Sequence, residues 1–433
     1  MKFYSTNNRS LSMSFREAVL EGIAPDGGLF MPETIPVMPD SFFSALPEMN
    51  FSEVAFKVAK QFAGEDIPDA DLKNITDDAF DFPVVLHRLT DNVQILELFH
   101  GPTLAFKDFG ARFTSRVMSW FLRNSDRKYT VLVATSGDTG SAVANGFYNV
   151  PGIDVILLYP SGKVSSIQEK QLTTIGGNVT ALEVEGTFDD CQRLVKEAFA
   201  DKQIKEKRNL TSANSINFAR LLPQSFYYFY AYALLASLNK DIIFCVPSGN
   251  LGNLTGGLIA GQMGLPVKKY IGAVNSNSVL SDYVKSGKYE PRPSVMTISN
   301  AMDVGNPSNM ARIFDLYGHS HDEIKKVIFS SSTSEGDTRS AIREVYDKFG
   351  YILDPHGAVG YNAVKEFSIN DESAISVILE TAHPSKFPEV VAEVTGKSPD
   401  VPMRLQQILN REKQSVVIGK DYAQFREFLS SEF

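Results

Sequence analysis

The sequence predicts an α/β fold with parallel sheets in more than one lobe. Apolar runs rich in β-branched residues alternate along the chain with longer segments of helical spacing, which is typical of parallel sheets covered by helices. With 433 residues, of which 43% are hydrophobic and 21% charged, the chain is long enough for two or three cores. The predicted strands are 130–135, 154–159, 180–185, 241–246, 269–274 and 376–379. The predicted helices are 110–123, 189–199, 216–238, 254–263, 334–349 and 358–367.

The two ends of the chain have a different pattern. The first ninety or so residues combine proline-rich turns with short amphipathic helices and show no obvious alternation of strands, so we expect a separate helical cap there. After Lys397 the sequence predicts short helices that pack on the outside of the main body.

Composition excludes several classes of function. The formal net charge of -9 argues against a broad nucleic-acid surface, so any anion must be captured locally. No apolar run approaches the roughly 20 residues that cross a bilayer, and the N-terminal residues lack an apolar signal core, so we expect a cytoplasmic protein. Cys191 and Cys245 have no framework spacing and are expected to be reduced, and His319 and His321 have no neighbours that build a metal site.

A lysine among apolar neighbours is the most informative feature. Lys107 lies in the segment 100–110, just before a predicted helix. A lysine that loses solvation there has a lowered pKa and becomes an amine nucleophile that forms imines with carbonyl compounds. Pyridoxal phosphate is the leading candidate for that carbonyl compound. An isolated lysine is more often a solvated surface charge, so the lysine needs supporting motifs.

Two Ser-Gly turns follow predicted strands and open predicted helices. Ser136, Gly137, Asp138 and Thr139 form the first turn, where backbone N–H groups and hydroxyls favour a carboxylate or a phosphate. The second turn brackets an amide-rich loop into which a phosphate can approach the backbone, and it consists of Gly249, Asn250, Leu251, Gly252 and Asn253. Neither turn matches a Walker or a dinucleotide fingerprint, and each is also compatible with a plain strand-to-helix connection.

A second anion site is predicted near residue 220. Asn214 and Ser215 precede a helical stretch in which Arg220 follows about two turns later, and an arginine fork with amide and hydroxyl neighbours can clamp a phosphate. A solvated helix arginine is the alternative interpretation. Lys163 is a further, weaker candidate for the same anion.

Together these motifs resemble the threonine synthases, in the β family (fold type II) of pyridoxal-phosphate enzymes. The resemblance runs nearly end to end, from residues 14–32 through 100–110, 135–140, 247–252 and 299–309 to 354–360 and 381–387. It implies a two-lobed fold similar to the tryptophan synthase β chain. The implied parts are an N-terminal helical cap (1–92), a large cofactor-binding lobe (93–110 and 212–390), a small lobe (111–211) and a C-terminal helical extension (391–433).

The resemblance also implies roles for residues. Lys107 is expected to form the imine with the cofactor and to shuttle protons, the loop 249–253 to surround the cofactor phosphate, and Thr381 to meet the pyridine nitrogen. The first turn is expected near the substrate carboxylate and phosphate, and Asn214, Ser215 and Arg220 near the substrate phosphate. Asp138 and Asn253 depart from the asparagine and the acidic residue of many β-family relatives, which leaves their contacts open.

The implied activity is the conversion of O-phospho-L-homoserine and water to L-threonine and phosphate, by a monomer or small homo-oligomer. A phospho-lyase that releases 2-oxobutyrate, phosphate and ammonia is the alternative, since sequence motifs hardly separate the two. A β-elimination dehydratase has no use for Arg220, and a non-catalytic binding protein has no use for the lysine.

Overall fold

The strands form three sheets in the computed structural model, which describes residues 1–369, 371 and 373–431. Residues 370, 372, 432 and 433, which fall in the predicted large lobe and C-terminal extension, lie outside the described residues. Within the described residues, no helix combines the length and the apolar character needed to cross a membrane.

The strands are β1 (Lys2–Ser5), β2 (Asn8–Ser14), β3 (Phe30–Pro32), β4 (Val85–Arg88), β5 (Val93–Glu97), β6 (Tyr129–Ala134), β7 (Ile153–Pro160), β8 (Val179–Val184), β9 (Leu210–Thr211), β10 (Asp241–Pro247), β11 (Lys269–Val274), β12 (Ile328–Ser332), β13 (Ala374–Glu380) and β14 (Val416–Ile418).

The helices are α1 (Phe15–Glu21), α2 (Asp40–Ala45), α3 (Phe51–Ala63), α4 (Asp69–Ala79), α5 (Lys107–Leu122), α6 (Asp138–Phe147), α7 (Ser166–Thr173), α8 (Phe188–Ala200), α9 (Lys202–Arg208), α10 (Phe218–Leu221), α11 (Pro223–Leu235), α12 (Gly252–Gln262), α13 (Val279–Ser286), α14 (Met310–Leu316), α15 (His321–Val327), α16 (Glu335–Phe349), α17 (Pro355–Phe367), α18 (Pro388–Thr395), α19 (Met403–Leu409) and α20 (Tyr422–Ser430). Short 3₁₀ turns lie at Leu46–Glu48, Ala236–Leu238, Asn300–Met302 and Pro384–Lys386.

Two parallel sheets define the lobes. The large-lobe sheet has the order β12-β11-β10-β13-β5-β4, and its strands are parallel except for β4, which is antiparallel at the edge. The small-lobe sheet has the order β14-β8-β7-β6-β9 and is parallel throughout. The α/β fold that the alternation of apolar runs predicted is therefore present, and each predicted strand is found to within two residues.

The N-terminal region is not purely helical. Strands β1, β2 and β3 form a small antiparallel sheet, and β4 belongs to the large-lobe sheet although it lies inside the predicted cap. These strands are short, and β2 and β4 are largely exposed, so they lack the long continuous apolar run that marks a parallel strand. The description of residues 1–92 as a helical cap therefore needs this correction.

The C-terminal segment also contains a strand. β14 pairs with β8 at the edge of the small-lobe sheet, and α20 packs against α8 and α9. A strand of three residues carries too little pattern to be recognised before its partner is known. The predicted helical extension therefore contributes to the small-lobe sheet.

Aromatic side chains join the N-terminal region to the rest of the core. The ring of Phe3 lies 5.0 Å from that of Phe218, and the ring of Phe51 lies 5.3 Å from that of Phe109. All four side chains are buried, in one continuous cluster. Because α5 and α10 carry these partners, the N-terminal region supports the two helices that later prove to hold site residues.

Helices α11 and α12 approach each other closely at a glycine. A Cβ added to Gly256 would lie 2.8 Å from the backbone carbon of Gln224 and 2.9 Å from its carbonyl oxygen. Backbone atoms cannot move aside as a flexible side chain can, so the glycine is required for this packing.

We expect Gly256→Ala to lower the free energy of unfolding by about 1–3 kcal/mol through overpacking. Urea denaturation measures this loss. Gly336→Ala is the matched control, because Gly336 is exposed in the first turn of α16 and an added Cβ has its nearest atom at 3.9 Å. An alanine there should be neutral or slightly stabilising. Equal effects of the two substitutions would contradict the packing argument.

Candidate active site

A cavity of about 790 Å³ lies where the carboxyl ends of strands from both lobes meet. Ala134 at the end of β6, Ser212 after β9, Pro247 at the end of β10 and Thr381 after β13 all line it. Ligands of open α/β sheets bind at this edge, because the strand ends and the helix N-termini converge there.

Lys107 lies in this cavity at the first position of α5 and is half-buried. Burial lowers the pKa of its ammonium group to about 8, the carboxylate of Asp138 acts in the opposite direction, and the cations of Lys386 and Arg220 lower the pKa further. Because of this shift, a large fraction of Lys107 is a neutral amine near pH 8, as a nucleophile requires.

Main-chain pairing fixes Lys107 beside Thr381. The backbone N–H of Phe106 donates to the carbonyl of Thr381 at 2.9 Å, and that of His383 donates to the carbonyl of Leu104 at 3.0 Å. These two bonds form a bridge between the segment that precedes α5 and the segment that follows β13. The predicted cofactor lysine and the residue predicted for the pyridine nitrogen are therefore neighbours.

The first Ser-Gly turn divides between the cavity and the interior of the protein. Ser136 and Thr139 line the cavity, whereas Gly137 and Asp138 lie outside its lining. Gly137 has φ 130° and ψ -83°, a conformation that glycine adopts readily, and a Cβ there would lie 2.5 Å from the side-chain amide carbon of Gln168. The Thr135 hydroxyl oxygen accepts the N–H groups of Gly137 and Gly140, which braces the turn.

Asp138 forms a buried ion pair with a residue that was not predicted for the site. Its Oδ1 lies 2.6 Å from Nζ of Lys386, and Nε2 of Gln168 donates to the same oxygen at 3.0 Å. Burial alone would raise the pKa of Asp138, but the ammonium groups of Lys386 and Lys107 outweigh it and hold that pKa well below its usual range. Asp138 is therefore ionised, and its negative charge is balanced by these neighbouring cations.

The second Ser-Gly turn joins β10 to α12 and lines the cavity from Ser248 to Asn253. Leu251 adopts a left-handed conformation with φ 60°, which is unusual for a branched residue and directs the loop into the helix. A Cβ on Gly249 would lie 2.7 Å from Cα of Met302, so the loop packs directly on the turn Asn300–Met302. In the first turn of α12, the N–H of Leu254 donates to Oδ1 of Asn253 at 3.1 Å. The N–H groups of Gly252 and Asn253 have no carbonyl partner one turn back within the helix, as is usual at a helix start, and can face an anion.

The side chain of Asn253 braces this loop from within. Its Oδ1 accepts the hydroxyl of Ser248 at 2.6 Å, and its Nδ2 donates to the carbonyl of Pro247 at 2.8 Å. Both ends of the amide group are therefore engaged with the loop itself. The sequence left the contact of Asn253 open, and these bonds indicate that its side chain holds the shape of the loop.

Arg220 is buried with free donors. It lies in α10, is 3% exposed, lines the cavity, and its Nε and Nη1 have no hydrogen-bond partner among the described residues. Burial lowers the pKa of Arg220 to about 10, and the carboxylate of Asp108 opposes the shift. Asn214 and Ser215, in the loop before α10, line the same cavity, so the structure brings the three predicted residues together. An unpaired buried guanidinium is costly unless an anion completes it.

Lys163 is not part of this arrangement. It is exposed in the turn that follows β7 and lies outside the cavity lining. The sequence placed it after a strand end, but β7 is followed by an outward turn before α7 begins. The prediction that Lys163 binds the same anion as Arg220 is therefore not supported by its position.

Three side chains that support the cavity were not among the predicted site residues. Lys386 is fully buried and donates to the carbonyl of Thr103 at 3.1 Å in addition to its pair with Asp138. His356 lines the cavity, pairs through Nδ1 with Asp354, and accepts the N–H of Ala301 at 3.3 Å. Arg312 is fully buried behind Ser215. The available signal was a titratable residue inside each of the blocks 354–360 and 381–387, but the partners are distant in sequence. Arg312 lies three residues beyond the block 299–309.

The residues present fit a phosphate-bearing aldehyde. An amine of lowered pKa, an amide-rich loop with glycines at close approach, and a guanidinium with two orphaned donors share one cavity. Lys107, the loop 249–252 and Thr381 are the residues that could hold pyridoxal phosphate. Arg220 with Asn214 and Ser215 could hold a second anion.

Comparison with known proteins agrees with this fit. Residues 85–379 match the model of the family described as pyridoxal-phosphate dependent enzyme. Residues 2–80 match the model described as threonine synthase N terminus, and residues 357–429 match the model described as threonine synthase, C-terminal.

Full-length relatives and solved structures give the same result. The chain is 39% identical to a threonine synthase of Serratia marcescens over 430 residues, which cover 99% of each chain. It superposes on the crystal structure of threonine synthase from Escherichia coli with a TM-score of 0.94, at 38% identity and with 99% of each chain covered. The crystal structure of a threonine synthase from Brucella melitensis with bound PLP matches with a TM-score of 0.92, at 35% identity, over 99% of this chain and 98% of that one. The chain therefore belongs to the threonine synthase family and is a pyridoxal-phosphate-dependent enzyme of fold type II.

Proposed function

We propose that this protein converts O-phospho-L-homoserine and water into L-threonine and inorganic phosphate. The observation that carries the proposal is Arg220, whose Nε and Nη1 are buried in the same cavity as the amine of Lys107 and meet no partner in the part of the chain that the structure describes. A general amino-acid site has no need of a second anion-binding group, whereas a γ-phosphorylated substrate requires one.

Pyridoxal phosphate, when bound, withdraws electrons from the substrate carbon next to the amino group. We propose that Lys107, Gly249, Asn250, Leu251, Gly252, the backbone of Asn253 and Thr381 hold it. A threonine hydroxyl at the pyridine nitrogen, unlike an aspartate, does not enforce a protonated ring.

Lys107 is the proposed proton carrier. Its Nζ has a pKa lowered to about 8, so the group can both accept and return a proton near neutral pH. In our proposal, Nζ moves protons at the α and β carbons of the substrate while phosphate leaves from the γ carbon. The γ carbon takes up a proton, and water then adds at the β carbon to give threonine. Main-chain pairing of Phe106 with Thr381 supports this role, because it holds the start of α5 in place.

Arg220 is the proposed phosphate clamp. Negative charge on the phosphate grows as its bond to the γ carbon breaks, and the desolvated N–H donors of Arg220 favour that charge. Asn214 and Ser215 are proposed as further partners of the same phosphate. Ser136 and Thr139 are proposed to receive the substrate carboxylate, with Gly137 shaping the turn and Asp138 acting from behind it.

The N-terminal region is proposed to act as a cap. Thr6, Asn7, Gly27 and Gly28 line one side of the cavity, although they are distant in sequence from the two lobes. Such a cover excludes bulk water and strengthens the electrostatic contacts inside.

Product analysis tests the proposal directly. Holoenzyme supplied with O-phospho-L-homoserine should release L-threonine and phosphate in equal amounts, as measured by chromatography and a phosphate assay. Lys107→Ala, the control, should form no product. Release of 2-oxobutyrate and ammonia in place of threonine would instead identify a phospho-lyase.

Arg220→Met should lower kcat/KM for O-phospho-L-homoserine by roughly a hundredfold or more, because two hydrogen bonds to a charged group are lost. Steady-state kinetics measures this loss. Arg339→Met is the matched control, because Arg339 pairs with Glu393 at 2.6 Å on the surface, and removing an exposed pair changes little. An unchanged kcat/KM in Arg220→Met would rule out the clamp.

The buried charges predict a pH dependence. Lys107 is protonated below its pKa of about 8, so the rate at which apoprotein takes up pyridoxal phosphate should rise with pH and reach half its limit near pH 8. Asp138→Asn removes a charge that raises this pKa, so the midpoint should move to lower pH; Lys386→Met removes a charge that lowers it, so the midpoint should move to higher pH. Absorbance stopped-flow measures the rates. Shifts in the same direction, or a midpoint near the ordinary lysine pKa of about 10.4, would contradict the assignment.

A further inference from the structure

Arg312 is a fully buried arginine whose hydrogen bonds go to uncharged oxygens. Its Nη1 donates to the carbonyl of Ser215 and to Oδ1 of Asn309, both at 2.8 Å, and its Nη2 donates to the carbonyl of Ile216 at 2.6 Å. The carbonyl of Phe30 in β3 accepts Nη2 at 3.1 Å and Nε at 3.3 Å. Burial without a countercharge lowers the pKa of Arg312 to about 9. The guanidinium thus ties β3, the loop before α10 and the start of α14 together.

One of these bonds sets the orientation of an amide. An asparagine can present either its oxygen or its nitrogen, and the hydrogen-bond network decides which. Because Arg312 can only donate, Asn309 must turn Oδ1 toward it. Nδ2 of Asn309 therefore points the other way and donates to Oγ of Ser215 at 3.2 Å and to the carbonyl of Asn250 at 2.9 Å.

The same logic applies to Asn250. The backbone N–H of Ser308 donates to its Oδ1 at 2.6 Å, so its Nδ2 must be the group that faces Ser215. That Nδ2 donates to Oγ of Ser215 at 2.9 Å. Two amide donors therefore converge on one hydroxyl oxygen.

Ser215 is left with one kind of bond to offer. A hydroxyl has two acceptor lone pairs and one donor hydrogen, and both lone pairs of Ser215 are occupied by Asn250 and Asn309. No acceptor on residues 1–369, 371 or 373–431 takes its hydrogen, and Ser215 lines the cavity. A donor-only hydroxyl suits a group that only accepts, such as a deprotonated phosphate oxygen.

We propose that Arg312 is a positioning residue: by fixing the amide of Asn309 it makes the Ser215 hydroxyl an obligatory donor to a phosphate monoester in the cavity. The inference deepens the proposed function and rests on it for the identity of the ligand. The phosphate can be that of the substrate, which Arg220 is proposed to clamp, or that of the cofactor, since Asn250 belongs to the proposed cofactor loop.

A double-mutant cycle on binding tests the inference without turnover. The variants are Ser215→Ala, Arg312→Lys and the double variant. Lysine keeps the charge but lacks the planar fork that bonds Asn309 together with the carbonyls of Ser215 and Ile216. One arm measures the Kd of inorganic phosphate for holoenzyme by calorimetry. The other measures the Kd of pyridoxal phosphate for apoprotein by absorbance titration.

In one of the two arms, each single variant should weaken binding roughly tenfold, the loss expected for a hydrogen bond to a charged group. The double variant should be no weaker than Ser215→Ala alone, because Arg312→Lys acts through that hydroxyl. If the losses are non-additive for inorganic phosphate, the Ser215 hydroxyl donates to the substrate phosphate. If they are non-additive for pyridoxal phosphate, it donates to the cofactor phosphate. Additive losses in both arms, or no loss with Ser215→Ala, would overturn the proposal.

Asn309→Asp provides a second route if Arg312→Lys folds poorly, since a carboxylate keeps its bond to Arg312. The carboxylate of Asn309→Asp presents an acceptor to Ser215 and draws the hydroxyl hydrogen away from the cavity. The substitution should therefore weaken phosphate binding in the wild-type background much more than in a Ser215→Ala background. Asn306→Asp adds the same charge at the cavity without facing Ser215, and its effect should be the same in both backgrounds. A Ser215-independent effect of Asn309→Asp would contradict the inference. Both arms measure binding and not turnover. Their result can therefore be interpreted even if the enzyme forms no threonine in the activity assay.

Discussion

Positive charge buried around one cavity is the constraint on which the rest of the structure depends. Lys107, Arg220, Arg312 and Lys386 are all removed from water to a large extent, and desolvating a cation is costly unless something replaces its hydration. Carbonyl oxygens replace it for Arg312, and the carboxylate of Asp138 replaces it for Lys386. For Arg220 the described residues replace the lost hydration only in part, and an anionic ligand would provide the missing hydrogen-bond acceptors. The protein thus accepts a loss of stability at the site in return for donors that are already in place before binding.

Much of the site could be predicted because its loops directly follow strands that are recognisable in the sequence. The turns after β6 and β10 each combine a strand, a glycine turn and a helix start, a pattern that lies within a dozen residues and carries its own physical reason. Lys107 was recognisable from its apolar neighbours. Because parallel strands present their carboxyl ends at one edge, these local motifs had to converge once the sheet was assigned correctly.

The rest depended on partners that are distant in sequence. No local pattern marks Lys386 as the countercharge of Asp138, which lies some 250 residues earlier. Likewise, no local pattern indicates that Arg312 bonds to the backbone of Ser215. Lys163 was misplaced for the converse reason, since a basic residue near a strand end looks the same whether the following turn faces inward or outward. The antiparallel strands β1–β3 and the three-residue β14 were missed because such short strands carry little periodicity. The single predicted helix 216–238 is divided where Pro223 opens α11.

The route of the C-terminal segment has a mechanical consequence. This segment leaves the large lobe with α18, which packs on α16, and finishes on the small lobe, where β14 extends the sheet and α20 covers α8. The chain had already passed from the large lobe to the small one after β5 and returned after β9, so the tail is a third link across the cleft. A third link restricts rotation of one lobe against the other more than two links would. Any opening or closing of the cleft must therefore move or bend residues 396–415, where Leu405 packs with Leu104 of the segment before Lys107, so shortening that stretch would stiffen the enzyme.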